Sequence, residues 1–413
     1  MSTKQDAMLL RGSHGLSDAV SVTARRHSRW RVPHEHFISI EGPWQLPSTS
    51  TVQSANYSRH RGNPLTNSFS SRRMLAWTAP VALALTALAP ALPAQAAPKP
   101  MPTVTTGPVD KDLNGDGVPD LVAVGGPGTG LGSGVWSGLG VKSRKTGVGT
   151  GQVQTPASNV GLRGNGVTGN DSPADFDGAQ VITGRFTGVD HQDFLYYYPT
   201  GTSAGNGGVI RGAGDGTMAN PYGNQFSIFS DNLIDANGNS PLQLVNAFQA
   251  DGVDTGIPDL LGIAGDATNG YRLGYHPNYF APGLYYGVTG LTNPTPTGGA
   301  DWQNWSLAST ETASGVALFL RNAGSGDLYL WTGVTMVDNG DGTGTLNHTQ
   351  YQVAANWNTG VTISTLQAAD INADGTPDLW AVLPNGTYRA YLISGLSNSG
   401  AATVTATRAR PLA

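Results

Sequence analysis

The sequence predicts an all-β protein, a β-propeller of four-stranded blades preceded by a disordered leader and an export signal. Three observations carry that expectation. An apolar strand recurs at even spacing, no stretch after residue 97 shows helical periodicity, and one Asp/Gly loop stands almost unchanged near both ends of the repeated region.

The recurring strand reads PDLVAVGG first, then QDFLYYYPTG, PDLLGIAGD, GVALFLRNAG and PDLWAVLPNG. Anchored on the Asp, or on the Gly that replaces it, the copies start at 120, 193, 259, 315 and 378, in steps of 73, 66, 56 and 63. Each copy has the same internal order. A strand such as LQLVNAF or STLQAAD precedes an Asp/Gly loop, the anchor strand follows, and then come a third strand (GYRLGYH, GDLYLWTG, GTYRAYLIS) and a fourth (TQYQVAA, ATVTATR). β-Branched and aromatic residues between Gly, Asn and Asp turns are strand signals, and long-period repetition points to a ring of blades with only short protected edges. Five units are readable, and the Gly-rich region 125–170 leaves room for five to seven blades. A pair of β-sandwiches is the competing all-β solution.

Charge divides the chain in two. Met1–Ala96 holds 10 basic and 4 acidic residues, and the remainder 13 basic and 24 acidic. After residue 97 the acid is almost all Asp, with Glu311 the single Glu, and Asp with abundant Gly and Pro belongs to turns. An acidic domain lacks the clustered Lys and Arg of a phosphate-binding face, which argues against nucleic acid as a partner. The absence of cysteine excludes a disulfide framework, a thiolate nucleophile and Cys-ligated zinc. Residues 71–97, SRRMLAWTAPVALALTALAPALPAQAA, place two arginines before an apolar run and a small-residue cleavage site, the order of an export signal. Pro80 and Pro90 leave the run too short for a stable membrane span, which takes about 20 apolar residues. The organisation is then a basic leader at 1–70, an export segment at 71–97 and a propeller at 98–413, with the mature protein a secreted monomer.

The two intact loops read DLNGDGVPD at 112–120 and DINADGTPD at 370–378. Alternate spacing turns Asp112, Asn114 and Asp116 toward one centre. Gly117 permits the sharp turn, the Val118 carbonyl adds an oxygen and Asp120 closes the shell. The second set is Asp370, Asn372, Asp374, the Thr376 carbonyl and Asp378. All are hard oxygen donors, which suit Ca²⁺. An EF-hand would need a Glu at loop position twelve, where Ala123 and Ala381 stand inside apolar strands. The middle copies have decayed: RFTGVDHQD has Arg185 and Val189 at ligand positions, DGVDTGIPD shifts its Asp spacing, and the fourth copy lacks the loop. DANGN at 235–239 lacks a closing Asp, and VDNGDGTGTL at 337–346 reads as a hairpin turn.

These repeats resemble the FG-GAP/VCBS repeats of integrin-α-type β-propellers in secreted bacterial proteins. The family's loop, D-x-[DN]-x-D-G-x-x-D, is matched at 112–120 and 370–378 only. The resemblance implies a calcium-stabilised extracellular propeller that acts as a binding or structural module for protein or carbohydrate ligands. No catalytic motif is present. The alternative is an extracellular hydrolase or lyase on glycan or ester substrates, with His191 or His276 as base. Aromatic residues are dense between 194 and 305 and serve either sugar stacking or packing between blades. Tyr196 and Tyr198 alternate with Tyr197, so one side of that strand is expected to be buried.

Overall fold

The computed structural model describes residues 109–164, 172–228, 230–285 and 287–413. The leader, the export segment and the first residues of the repeat region lie outside them. Among the described residues no helix is long and apolar enough to cross a membrane, and helix is limited to three single 3₁₀ turns. The chain is all-β.

Its strands follow one another in five groups. The first holds β1 (Leu121–Val124), β2 (Val135–Gly138), β3 (Gly140–Lys142), β4 (Gly149–Val153) and β5 (Ser158–Asn159). The second holds β6 (Gln180–Gly184), β7 (Asp193–Tyr197), β8 (Gly207–Ile210) and β9 (Gln225–Ile228). The third holds β10 (Gln243–Phe248), β11 (Asp259–Asp266), β12 (Gly270–His276) and β13 (Thr289–Leu291). The fourth holds β14 (Trp305–Thr312), β15 (Gly315–Asn322), β16 (Leu328–Asp338) and β17 (Thr343–Ala354). The fifth holds β18 (Thr365–Ala369), β19 (Asp378–Val382), β20 (Thr387–Ser394), β21 (Thr403–Ala406) and β22 (Arg410–Pro411).

Within groups the pairing is antiparallel. Sheets run β1-β2-β5, β6-β7-β8-β9 and β18-β19-β20-β21, with β22 on β20 and β3-β4 as a separate hairpin. The third and fourth groups join through a parallel pair of β13 with β17 into one eight-stranded sheet, β10-β11-β12-β13-β17-β16-β15-β14. Its two end strands, β10 and β14, lie against each other, so this sheet is nearly closed and barrel-like.

The core is divided by the period-2 alternation of side chains along a strand. In β7, Phe194 and Tyr196 join a core with Val122, Val135 and Phe176, while Leu195 and Tyr197 join one with Leu244 and Leu260. Both faces of β7 are therefore buried, not one, and that is why its run of apolar residues is unbroken. The same split recurs in β19, where Leu379 and Ala381 pack with Phe319 and Leu330, and Trp380 and Val382 pack with Leu121 and Ala123. A further core joins Leu261, Leu273 and Tyr275 to Trp305, Leu318 and Trp331. Each core thus joins one group to the next, and the last joins the fifth group to the first. Fully burying one such aliphatic or aromatic side chain contributes about 1.5–3 kcal/mol.

One strand of each group lies against one strand of the next. β1 lies against β6, β6 against β10, β10 against β14, β14 against β18, and β18 against β1. Glutamine side chains tie three of these junctions. Gln180 donates to the Leu244 carbonyl (2.6 Å) and accepts from its amide (2.9 Å). Gln243 does the same with the Trp305 carbonyl (3.0 Å) and Leu307 amide (3.3 Å), and Gln367 with the Asp120 carbonyl (2.6 Å) and Val122 amide (2.9 Å). Each amide group satisfies one donor and one acceptor on a strand edge that lacks a strand partner there.

Candidate functional site

The two intact loops adopt matching backbones. Gly117 and Gly375 have φ of 83° and 84°, and the residues two before them, Gly115 and Ala373, have φ of 72° and 55°. The first leads into β1 directly after Asp120, and the second leads from β18 into β19, which starts at Asp378.

In the first loop, Asp112 accepts the Asp116 amide on Oδ1 (3.1 Å) and the Gly117 amide on Oδ2 (2.6 Å). Asn114 Oδ1 also accepts from Asp116 (3.0 Å), and Asp116 Oδ1 accepts the Val118 amide (3.0 Å). In the second loop the same contacts recur: Asp370 takes Asp374 (3.1 Å) and Gly375 (3.0 Å), Asn372 takes Asp374 (3.1 Å), and Asp374 takes Thr376 (2.8 Å). The side-chain oxygens at positions one, three and five are thus gathered by the turn they sit in.

The ninth residue differs between the copies. Asp120 is fully buried, with Oδ2 on the Leu113 amide (2.8 Å) and Oδ1 on the Gly140 amide (2.6 Å). Burial pushes its carboxyl up to about 7 against the pull of those two amides, and Asp112 and Asp116 push it further. Asp378 is equally buried and takes the Ile393 amide on Oδ1 (2.7 Å), but its buried Oδ2 makes no hydrogen bond of good geometry. Burial pushes this carboxyl up to about 8. The Ile393 amide and, more weakly, the Asn372 amide pull it back, and Asp374 and Asp370 add to the rise. Asp370 is itself raised, chiefly by burial.

The donor set fits a hard cation. It consists of oxygens alone, carries three carboxylates per loop, and in the second loop leaves one buried carboxylate oxygen without a partner. The first loop has a protein cation nearby, since Lys142 Nζ donates to the Asp116 carbonyl and stands 3.9 Å from its Oδ1. Among the described residues no three His, Asp or Glu side chains stand together as a metal-ligating group, the three carboxylates of each loop included.

Elsewhere the protein fills the equivalent places itself. Thr187 donates its amide (2.7 Å) and hydroxyl (2.9 Å) to Asp193 Oδ2, and Gly212 donates to Oδ1 (3.0 Å). At Asp259 the Tyr275 hydroxyl occupies Oδ2 and also accepts the Asp251 amide (3.1 Å), while Asn278 donates to Oδ1 (2.6 Å). In the fourth group the loop is replaced by a two-residue hairpin with Thr312 opposite Gly315. Asp235 is closed on the amides of Asn237 (2.8 Å) and Asn239 (2.9 Å), and 338–344 is a hairpin turn.

The other candidates separate cleanly. His276 is sealed in the interior with neither ring nitrogen hydrogen-bonded, and burial pushes its imidazole down to about 4. His191 is exposed, and His348 stacks on Trp331 with ring centroids 3.7 Å apart. Of the aromatics, Tyr196, Tyr197, Tyr198, Tyr275, Tyr285, Trp302 and Trp305 are buried packing residues, and Tyr222, Tyr279 and Phe280 are exposed. Sequence reasoning missed the glutamine ties and the shared work of the anchor aspartates: Asp120, Asp193 and Asp259 link their strands to a backbone amide just past the next strand, and Asp378 links to Ile393 near the end of it. Gln180, Gln243 and Gln367 each sit just inside an apolar strand, a signal that only alignment of the repeats would expose. No family model matches the chain, and no curated protein matches it either.

Proposed function

We propose that the chain is a secreted, calcium-binding β-propeller of five blades with FG-GAP/VCBS-type loops. It acts as an extracellular binding or structural module toward protein or carbohydrate ligands. Five inter-group cores, the last joining group five to group one, support the propeller reading, as do the glutamine ties between inner strands. Residues 71–97 support secretion. One calcium ion would be held by Asp112, Asn114, Asp116, the Val118 carbonyl and Asp120. A second would be held by Asp370, Asn372, Asp374, the Thr376 carbonyl and Asp378.

The observation that carries the calcium reading is the fully buried Asp378, whose Oδ2 lacks a partner while Asp370 and Asp374 crowd it. A buried carboxylate so placed is costly unless a cation neutralises it. The test is calorimetric titration of the chelator-treated protein with calcium, followed by thermal unfolding. Two binding events and a rise in Tm with calcium are expected. An unchanged Tm, or no binding heat, ends the calcium reading.

A further inference from the structure

The sequence has seven Asn-Gly pairs, and six of them lie among the described residues. Asparagine before glycine is chemically labile, because a residue without Cβ lets its backbone nitrogen approach the preceding side chain closely. Three conditions then decide whether a given pair reacts. The glycine amide must be free to attack, the Asn Nδ2 must be free to leave, and a donor on Oδ1 must hold the charge that develops there.

Five of the six pairs fail one of these conditions. Gly207 opens β8 and is held in the ladder on both sides. The Gly238 amide donates to the Asp235 carbonyl (2.9 Å), and the Gly386 amide to the Leu383 carbonyl (2.9 Å). At Asn339 the Gly340 amide donates to Asp338 Oδ1 (2.8 Å) and Nδ2 donates to the Thr343 hydroxyl (3.0 Å). Asn269 Nδ2 is held by both oxygens of Asp266 (3.2 and 3.0 Å). Asn114 meets all three. Its Oδ1 accepts the Asp116 amide (3.0 Å), and among the described residues nothing accepts from its Nδ2 or from the amide of the exposed Gly115. At the matching position of the second loop Ala373 replaces the glycine, and Asn372 Nδ2 donates to Asp374 Oδ2 (3.0 Å).

We propose that Asn114 is a site of spontaneous modification, deamidation to aspartate and isoaspartate, so that the first loop ages while the second does not. The Gly115 nitrogen gives up its proton to water and bonds to Asn114 Cγ. The Cγ–Nδ2 bond breaks, and Nδ2 takes a proton from water and leaves as ammonia. Water then opens the cyclic imide. Attack at Cγ leaves an aspartate, and attack at the main-chain carbonyl leaves an isoaspartate. The first product adds a carboxylate to a loop that already holds three, and the second inserts a methylene into the backbone of the turn. Neither step requires an ion in the loop.

The experiment is peptide mapping by mass spectrometry of the full chain incubated at neutral pH in chelator, with isoaspartate counted separately by enzymatic methylation. Asn114 is expected to convert about tenfold or more faster than Asn206, Asn237, Asn269, Asn339 or Asn385. In denaturant, where every pair has the same freedom, that lead should vanish. Gly115→Ala should slow conversion at Asn114 by about tenfold or more. Its Tm should fall only slightly, which separates a lost reaction from a lost fold. Conversion at any of the other five as fast as at Asn114 overturns the proposal. So does a lead that persists in denaturant, which would place its cause in the local sequence and not in the fold, or conversion unaffected by Gly115→Ala.

Discussion

The loops at 112–120 and 370–378 and the loop at 251–259 solve one problem in two ways. Each must hold a buried anchor aspartate at the start of a central strand. In the third group the solution is internal: the Tyr275 hydroxyl reaches from β12 to Asp259 and ties in the Asp251 amide as well. At Asp378 no side chain arrives, and the carboxylate keeps one buried oxygen unpartnered. The comparison teaches that the aspartate ties its strand to a backbone amide near or beyond the end of the following strand, whether or not the loop ahead of it is built for an ion. Asp120, Asp193, Asp259 and Asp378 all make that link.

The largest expected effect separates the two solutions directly. Asp378→Asn should lower stability in excess calcium by about 4 kcal/mol, the linkage energy of an ion about a thousandfold above its dissociation constant. In chelator the same variant should lose less, about 1–3 kcal/mol, the cost of a buried amide NH2 left without an acceptor where Oδ2 stood. Denaturant unfolding in both conditions measures the difference, and equal losses would place Asp378 with Asp259 as a purely structural residue.

Tyr275→Phe tests the other side. It strips Asp259 Oδ2 and the Asp251 amide of their shared partner, and a buried group left unsatisfied costs about 1–3 kcal/mol. The loss should be the same in calcium and in chelator. A loss that appears only in chelator would mean that an ion can replace the hydroxyl.

How much of this was legible in the sequence follows from distance along the chain. Asp112 to Asp120 is a local pattern, and its spacing alone predicts a gathered oxygen set. The all-β class follows from runs such as DFLYYY. Tyr275, by contrast, reaches Asp259 from 16 residues away, and the tie from Gln367 to Val122 spans 245. Nothing local marks either contact. The burial of both faces of β7 was likewise hidden, since alternation of tyrosines with tyrosines carries no polarity. Asp110 and Lys111 stand just ahead of the loop pattern, and nothing local marks their contacts to Ser309 and Thr310 of β14.

The residue that follows Tyr275 adds a pH dependence to the internally satisfied group. His276 has a folded-state pKa pushed below its unfolded value, so the neutral ring favours the folded state above the unfolded pKa. That contribution is lost as pH falls from about 6.5 toward about 4. Between pH 7 and pH 5 the loss is about 2 kcal/mol. Measured as the difference between the wild type and His276→Leu, so that other titrating groups cancel, stability should converge by that amount on acidification. A difference independent of pH would show that the ring takes up its proton in the fold at the same pH as in the unfolded chain.

The smallest effect compares the two intact loops with each other. Gly115 and Ala373 occupy the same left-handed position, with φ of 72° and 55°. An alanine there carries a steric penalty of about 1 kcal/mol that glycine avoids, partly offset by the larger entropy glycine loses on folding. Ala373→Gly should therefore stabilise the second loop by somewhat less than 1 kcal/mol, and Gly115→Ala should destabilise the first by a similar amount. A Cβ at Gly115 would meet no atom within 4 Å, so a larger loss there could not come from a clash. If calcium organises both loops, the two shifts should persist in calcium with opposite signs and little change in size. The strain lies in the backbone of the turn and not in the oxygen set. A shift that grew in calcium would instead mean that ion binding forces the turn further into the left-handed region, and that the two loops are not equally prepared for it.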